Sequence, residues 1–389
     1  MMLVSVISYL DRNTLALLAP TILREKNLSA EQYGFIISAF SVAYMLGNPL
    51  WGAIIDRIGL RKGMTASVAT WTIASLSHAF AGGFAGFAAA RAVLGFGEGA
   101  TFPGSMRTAM QTLPVEHRSR GIAISYSGGS LGAVITPVII TPIAAVWGWR
   151  GAFWFTGGVG ALWVAHWLWL SRREPFRRAI PRLANVVKIE QSPNWNHRRT
   201  WAFMFAYALG SMPLGFVLYE TSLYLSAVLH KSQVEIGEVL WIPPVGWEVG
   251  YFFFGWVSDR YLGSGTNFRR MQTLFLALTV ASLSFALAPL TDSFAITMFL
   301  LFVATFLAAG FIIGSLAYAN AYYSEKHSGL IAGLGAGSWS AMVAVVMPGF
   351  GRLFDLHQYE LAFLLAALFP IAGFAGWRML HGRAAPAQA

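Results

Sequence analysis

The chain has 389 residues, 56% of them apolar and only 11% charged, and its 27 Lys and Arg against 17 Asp and Glu leave a net charge of +10. A soluble domain carries about 25% charged residues, and a water-facing globule this apolar would lack the polar surface to cover itself. The mean hydropathy of +0.57 and the 15% aromatic content exclude a disordered or nucleic-acid-coating protein and leave a polytopic membrane protein. Cysteine is absent, which excludes disulfides and thiolate metal sites, and the 8 histidines include no pair four apart, so the helical zinc motif is missing.

Apolar stretches recur from end to end. They fall at residues 2–22, 33–55, 62–82, 84–112, 120–146 and 151–170, and again at 200–229, 233–257, 271–289, 294–323, 330–350 and 361–380. Each is about 20 residues long, enough for a helix to cross a hydrocarbon core near 30 Å thick. Transmembrane strands alternate over about ten residues, and these runs do not alternate. The reading is an all-α membrane protein with twelve transmembrane helices in two pseudo-symmetric six-helix bundles, 1–170 and 200–389, joined by a cytoplasmic linker loop, 171–199.

Basic residues sort by loop. With the amino terminus inside, Arg57, Arg61, Lys62, Arg107, Arg118, Arg120, the linker, Arg260, Arg269, Arg270 and Arg378 are cytoplasmic, whereas the outer loops hold only Arg24, Lys26, Arg150, Lys231 and Arg352. That bias places both termini in the cytoplasm and accounts for the high pI without nucleic acid. The basic linker reads as a topology signal in contact with lipid headgroups. The first apolar run is interrupted by Asp11-Arg12 and lacks a cleavage site, so it is a span rather than a signal peptide. The chain starts almost inside that span, and a segment ahead of Met1 is expected.

An internal repeat supports the two halves. Gly52-Ala53-Ile54-Ile55-Asp56-Arg57 ends the second span, and Gly255-Trp256-Val257-Ser258-Asp259-Arg260 ends the eighth. Repeats of this kind occur in transporters whose site lies between the halves near the midplane. Together with Gly59, Arg61 and Lys62, the first copy resembles the loop between helices 2 and 3 of the major facilitator superfamily. Gly52 is expected to let a neighbouring helix approach closely, and Asp56 to meet a helix dipole or a nearby Arg in a latch whose breaking lets the halves rock. Asp56, Arg57, Arg61, Asp259 and Arg260 are the candidate gating residues.

Charges inside spans are costly, about 2.5–3.5 kcal/mol each on insertion scales, and those that persist mark sites or pair with one another. Here they are Asp11 and Arg12 in span 1, Arg91 and Glu98 in span 4, Glu220 in span 7 and Glu248 in span 8. Arg91 and Glu98 share one helix face about 10 Å apart, and Asp11 lies at a depth between them, so one cluster of two cations and two carboxylates is geometrically possible. An anion bound to arginine would compete with a carboxylate for the same cation, which couples proton to anion by charge balance. The alternative is an ion-pair network that only fixes helix packing.

Tyr9-x-Asp11-Arg12-x-x-Leu15 and Arg91-x3-Gly95-x2-Glu98-Gly99-x3-Pro103 resemble the helix 1 and helix 4 motifs of the anion:cation symporter family, which includes bacterial sugar-acid transporters. The resemblance spans essentially the whole chain. It implies that Asp11 and Glu98 are the proton-coupled carboxylates and that Arg12 and Arg91 bind the anion. Tyr9 and Tyr44 fit the site, Asn48 stands where many members carry Gln, and Ser127 and Ser130 fit the polar helix 5 pattern, with Tyr126 replacing a common Asn. From the second half, Asn320, Tyr318 and Trp339 are candidates for the cavity.

Glu248 and Glu220 are not family features. Glu248, about 16 Å from the cytoplasmic end of its helix, is expected to accept hydrogen bonds from substrate hydroxyls. Glu220 either belongs to an outer gate or reaches headgroup water. The glycine runs 95-97-99 and 333-335-337 lie inside spans and read as helix packing rather than nucleotide loops. His78 and His166 are expected at the membrane interface.

The sequence therefore reads as a proton-coupled importer of an organic carboxylate, a hexuronate or aldonate, working by alternating access in a bacterial inner membrane. Aromatic or dicarboxylic acids are the runner-up substrates, and a membrane-embedded enzyme or a channel is the alternative class. No nucleophile–base or metal constellation of an enzyme is visible. Its expected partners are the anion, protons and the bilayer, with no nucleic acid, no cofactor beyond the coupling proton, and a monomeric state.

Overall fold

The computed structural model describes residues 1–173, 193–262, 267–323 and 327–381. Residues 174–192 of the linker and 382–389 of the second half lie outside the described residues. The first half comprises α1 (Met2–Lys26), α2 (Ala30–Ile58), α3 (Leu60–His78), α4 (Phe84–Glu98), α5 (Thr101–Thr112) and α6 (Val115–Leu170). The second comprises α7 (Arg198–Gly210), α8 (Met212–Ala227), α9 (Gln233–Val239), α10 (Ile242–Val257), α11 (Phe268–Ser282), α12 (Phe294–Tyr322), α13 (Ser328–Asp355) and α14 (Tyr359–Leu380).

Local chemistry explains where the helices break. α6 is two helices joined at Gly148, whose φ of +68° turns the chain back. α4 gives way to α5 at Gly99-Ala100, α7 to α8 at Ser211 just ahead of Pro213, and α9 to α10 just ahead of Pro243 and Pro244, which cannot supply helix N–H groups. α11 tightens into a 3-10 turn over Leu283–Leu290. Eight helical stretches among the described residues are long and apolar enough to cross a bilayer by length and composition alone, one of them the segment holding both arms of α6. With α3, α4–α5 and α9–α10, whose breaks or charges lower that count, the arrangement is consistent with twelve crossings.

The surface is inverted relative to a soluble protein. Leu162, Phe252 and Phe299 are 73%, 72% and 61% exposed, whereas Asp11, Arg12, Arg91 and Glu98 are buried. Such a surface is stable only where the solvent is lipid, and helices suit it because each satisfies its own backbone. α1 packs on α6, α2 on α4, α10 on α12 and α14 on α7 within the halves, while α2–α13, α1–α8 and α6–α10 join the halves.

Small residues set the close approaches. A side chain at Gly95 would strike the Phe40 carbonyl, one at Gly47 would meet the Phe96 carbonyl at 2.7 Å, and one at Gly99 would meet Gly47 at 2.6 Å. Gly97 faces Trp71 and Ser67. The 95-97-99 run is therefore helix packing. Gly52 differs from expectation: a side chain there would meet only Pro103, at 3.9 Å, because the tight α2–α4 contact lies one turn earlier, at Gly47. His78 also departs from its interfacial assignment. It is fully buried and stacked on Phe153 at 4.8 Å between rings, because α3 ends inside the bundle.

The two faces of the molecule differ. On the face carrying Asn27 the halves are bound together: Asp355 holds the N-terminus of α2, Ser38 Oγ donates to the Ala344 carbonyl at 2.6 Å, and Gly34 lies against the Met347 carbonyl. Gln233 Nε2 donates to the Leu17 carbonyl at 2.8 Å, and Ser222 donates to that of Ala16. On the opposite face, which carries Gly59, α5 meets α13, with Met106 against Gly329.

Candidate functional site

Between the halves lies a cavity lined by side chains of both. α1 gives it Tyr9 and Arg12, α2 gives Tyr44, and α5 gives Phe102. The second half gives Tyr207, Trp247, Tyr251 and Trp339, with Leu214, Leu218, Ile312 and Ala336 filling the gaps. Among the described residues, Arg12 is the one charged side chain in this lining. Its guanidinium lies 4.5 Å from the Tyr9 ring, 4.7 Å from Phe40 and 4.8 Å from Tyr44, an aromatic cage that holds a weakly hydrated cation out of water.

Arg12 Nη2 donates to Glu98 Oε2 at 2.9 Å, and Ser8 Oγ donates to the same oxygen at 2.8 Å. Ser8 and Arg12 are four apart on α1 and so share a face. Glu98 is the last residue of α4, where Gly95 and Gly99 let that helix come close enough to reach Arg12. Glu98 Oε1 has no hydrogen-bond partner.

The other two charges of the expected cluster are placed apart. Asp11 follows a different azimuth from Arg12, because successive residues turn about 100° on a helix. It points into the first half, where Ser75 Oγ of α3 donates to it at 2.6 Å and Thr156 of α6 lies 2.7 Å from that hydroxyl. Arg91 is buried behind Arg12, donating to the Arg12 carbonyl at 2.8 Å, and does not line the cavity. Among the described residues it meets no carboxylate within ion-pair distance. The four charges therefore form a pair, a buttress and a separate carboxyl rather than one cluster.

Further placements depart from the sequence reading. Asn48 donates to the Tyr44 carbonyl at 2.9 Å and stands behind Tyr44, outside the lining. Ser127 donates to the Ile124 carbonyl of its own helix and is also outside it. Glu248 accepts from Ser130 at the α6–α10 seam, so the carboxyl expected to meet substrate hydroxyls instead ties the two halves. Asn320 is exposed two residues from the end of α12, too close to the Gly59 face to reach the cavity. Tyr318 packs inside the second half, near His381 at 3.1 Å. Their depth along the helix was readable, but their azimuth was not. Tyr9, Arg12, Tyr44 and Trp339 line the cavity.

The candidate gating residues are at the Gly59 face. Asp56 forms an ion pair with Arg107 of α5, which supplies the cationic partner expected for it. Arg57 is exposed, and the Arg61 carbonyl accepts from Trp167 Nε1 at 3.2 Å. In the second half Asp259 and Arg260 are exposed on a π-helical turn, Ser258–Leu262.

Sequence reasoning missed Ser8, Phe40, Ser75, Thr156, Tyr207, Trp247 and Tyr251. The Ser8–Arg12 and Trp247–Tyr251 spacings of four were available as signals of shared faces. Gly129 and Gly132 of α6 also matter: a side chain at either would strike Tyr9, at 2.9 and 2.8 Å, so these glycines make the space in which Tyr9 stands.

Known proteins agree with this architecture. The hexuronate transporter of Escherichia coli (strain K12) is 23% identical over 403 residues, covering 98% of this chain and 92% of that one. The hexuronate transporter of Bacillus subtilis (strain 168) is 29% identical over 66% of this chain and 62% of that one, and the D-galactonate transporter of Escherichia coli O6:H1 is 25% identical over 71% and 70%. Among solved structures, a bacterial homolog of the human lysosomal transporter Spinster superposes with a TM-score of 0.76 at 17% identity, covering 98% of this chain and 95% of that one. The human organic anion transporter MFSD10 does so with a TM-score of 0.68 at 19% identity, covering 97% of each. The family model of the Major Facilitator Superfamily matches residues 1–333, so this chain, a multi-pass membrane transporter and not an enzyme, belongs to that superfamily.

Proposed function

We propose that the protein imports an organic carboxylate with protons by alternating access, and that the substrate is a sugar acid such as a hexuronate or an aldonate. The observation that carries this reading is the buried ion pair that Arg12, on the lining of the central cavity, makes with Glu98. Charge balance allows Arg12 one anionic partner. When the substrate carboxylate takes the guanidinium, Glu98 loses its counter-cation and is tolerated in this dry site only as the neutral acid. Substrate and proton therefore arrive together and leave together. Asp11, held by Ser75 apart from the cavity, is the second proposed proton carrier. Its separation lets it titrate without touching substrate.

The names of the relatives support the sugar-acid assignment. A dicarboxylate is less well served, because among the described residues Arg12 is the sole cation on the lining. Aromatic acids remain the competing substrates, since the walls are rich in rings. The basic-residue bias supports an orientation in a bacterial inner membrane with both termini in the cytoplasm, so the bound-together Asn27 face is the outer one and the structure is closed to the outside. Arg57, Arg61, Asp259 and Arg260 belong to the cytoplasmic gate in this reading, with the Asp56–Arg107 pair as its latch.

Uptake of a labelled hexuronate into proteoliposomes under an imposed pH gradient tests the proposal. Concentrative uptake that collapses with the gradient is the expected result. Downhill flux indifferent to the gradient would indicate a channel, and no flux for any sugar acid would overturn the substrate assignment.

A further inference from the structure

Glu220 has no part in the cycle just described, yet it is among the most completely buried charge-bearing side chains of the protein. It is fully shielded from solvent, and neither of its carboxylate oxygens has a hydrogen-bond partner. Its position is specific. It lies in α8 between two bonds that join the halves: the carbonyl of Tyr219 accepts from Tyr33 Oη of α2 at 3.1 Å, and Ser222 donates to the Ala16 carbonyl of α1. Both bonds belong to the closure of the Asn27 face, and any movement that opens that face breaks them and wets Glu220.

The groups around it cannot neutralise a charge. Tyr219 on α8 is its chain neighbour, Tyr33 on α2 donates to the Tyr219 carbonyl, Asp355 on α13 is held at the start of α2, and Arg91 on α4 is engaged with the Arg12 carbonyl. Tyr224 of α8 and Tyr359 of α14, which meet edge to face, lie on this side as well, with Glu31 of α2, Arg352 of α13 and His357 at the helix ends beside Asp355. No cation stands within ion-pair distance of Glu220 among the described residues. An uncompensated carboxylate has no place in such surroundings, whereas a neutral carboxylic acid has.

We propose that Glu220 is a proton-binding site of the outer gate: it carries a proton while the Asn27 face is closed and gives it up when that face opens to water. The bond that forms and breaks is the carboxyl O–H, with water on the open side as proton donor and acceptor. The proposal rests on the alternating-access reading but not on the identity of the substrate. It gives the gate a response to outside pH that is separate from Asp11 and Glu98. Acid outside favours closure and delivery inward, and alkali favours the open gate.

The native chain contains no cysteine, so one introduced thiol reports without background. Met347, fully buried where α13 meets Gly34 of α2, is the reporter as Met347→Cys, probed with a membrane-impermeant maleimide from outside. The host carries Asp11→Asn and Glu98→Gln, which remove the central protons. Labelling, normalised at each pH to that of a fully exposed reporter thiol so that the rise in thiolate cancels, is expected to accelerate as pH rises, by at most about tenfold per unit for one linked proton. Adding Glu220→Gln, which mimics the neutral acid, is expected to hold labelling low and flat, while Glu220→Asp keeps the slope. Tyr33→Phe, which removes a gate bond and leaves the carboxyl, is expected to keep the slope and move its midpoint to lower pH, which also serves if Glu220→Gln does not fold. An unchanged slope in Glu220→Gln, a midpoint unmoved by Tyr33→Phe, or labelling governed by sodium instead of pH would overturn the proposal. A reporter that never labels in any background, including the otherwise native chain with and without substrate, would instead reject alternating access itself.

Discussion

Asp355, the last residue of α13, accepts from the backbone N–H of Ala30, the first residue of α2, at 2.8 Å. Its other oxygen accepts from Glu31 N–H at 2.9 Å. One carboxylate from the second half thus serves the unpaired N–H groups at a helix start in the first half, in addition to the cap that Ser29 gives its own helix. The bond exists only while the halves are together at this face. Asp355→Ala is expected to remove about 1 kcal/mol from the closed state, the ordinary value of such a cap, and so to shift the gate about fivefold toward open. Faster maleimide labelling of Met347→Cys in Asp355→Ala checks this. A labelling rate equal to that of the parent would mean that the cap is incidental.

Glu98→Gln is expected to abolish accumulation driven by a pH gradient while preserving substrate exchange. The amide oxygen can still accept from Arg12 and Ser8, so the site keeps its shape, but it can no longer take up and release a proton. Counterflow and gradient-driven uptake in the same proteoliposomes separate the two activities. Full accumulation in the variant would remove Glu98 from the coupling.

The two buried arginines are expected to respond differently to lysine. Arg12 lines the cavity, donates to Glu98 and is sandwiched by three rings, functions that need a flat, weakly hydrated fork. Arg12→Lys is expected to weaken binding about tenfold or more, consistent with about 1.5–3 kcal/mol for a hydrogen bond to a charged group. Arg91 donates to the Arg12 carbonyl, a task within reach of an ammonium group, and stays off the lining. Arg91→Lys is therefore expected to be the milder change, and equal losses of affinity in the two variants would show that Arg91 reaches substrate in another conformation.

Asp56→Asn is expected to lower turnover more than affinity. The Asp56–Arg107 pair lies at the Gly59 face, away from the cavity, and weakening it changes the populations of states rather than the contacts with substrate. Arg107→Gln combined with Asp56→Asn should be no worse than either alone, because each change removes the same pair. Additive losses in transport assays of the three variants would count against the pairing as the functional unit.

How much of this was legible beforehand depends on geometry. The Arg12–Glu98 pair was readable only as part of one possible cluster of four charges, because charge in a bilayer demands a partner and helical rise gives depth without azimuth. The separation of Asp11 from Arg12 was readable in principle from the turn between adjacent residues. The burial of His78, the seam contact of Glu248 and the isolation of Glu220 were not, because azimuth depends on which helices pack together, and that is fixed by contacts between residues far apart in sequence. Asn320 shows the same limit: its chemistry suited a site, but its helix carries it out to the rim.

The cavity walls lead to one further prediction, on the shape of the substrate. Around Arg12 stand Tyr9, Tyr44, Tyr207, Trp247, Tyr251 and Trp339, and among the described residues no amide or carboxylate side chain joins the lining. Recognition beyond the carboxylate therefore falls to ring faces, with tyrosine hydroxyls and indole N–H groups at the edges. A uronate in its closed pyranose form offers a rigid C–H face to such walls, whereas an open-chain aldonate does not and loses more freedom on binding. Trp247 is the natural platform, since it is held between Tyr9 and Tyr251 at 5.6 Å from each ring. Ring-to-ring contacts are worth about 0.5–1.5 kcal/mol beyond the area they bury, and a similar gain here is about twofold to tenfold in affinity. The native protein is therefore expected to bind a hexuronate more tightly than the aldonate of the same carbon number. Trp247→Leu should erase that preference by weakening the ring form and leaving the chain form nearly unchanged. Titration calorimetry with both acids on both proteins decides the matter: an equal loss for the two acids would mean that Trp247 shapes the cavity without reading the ring.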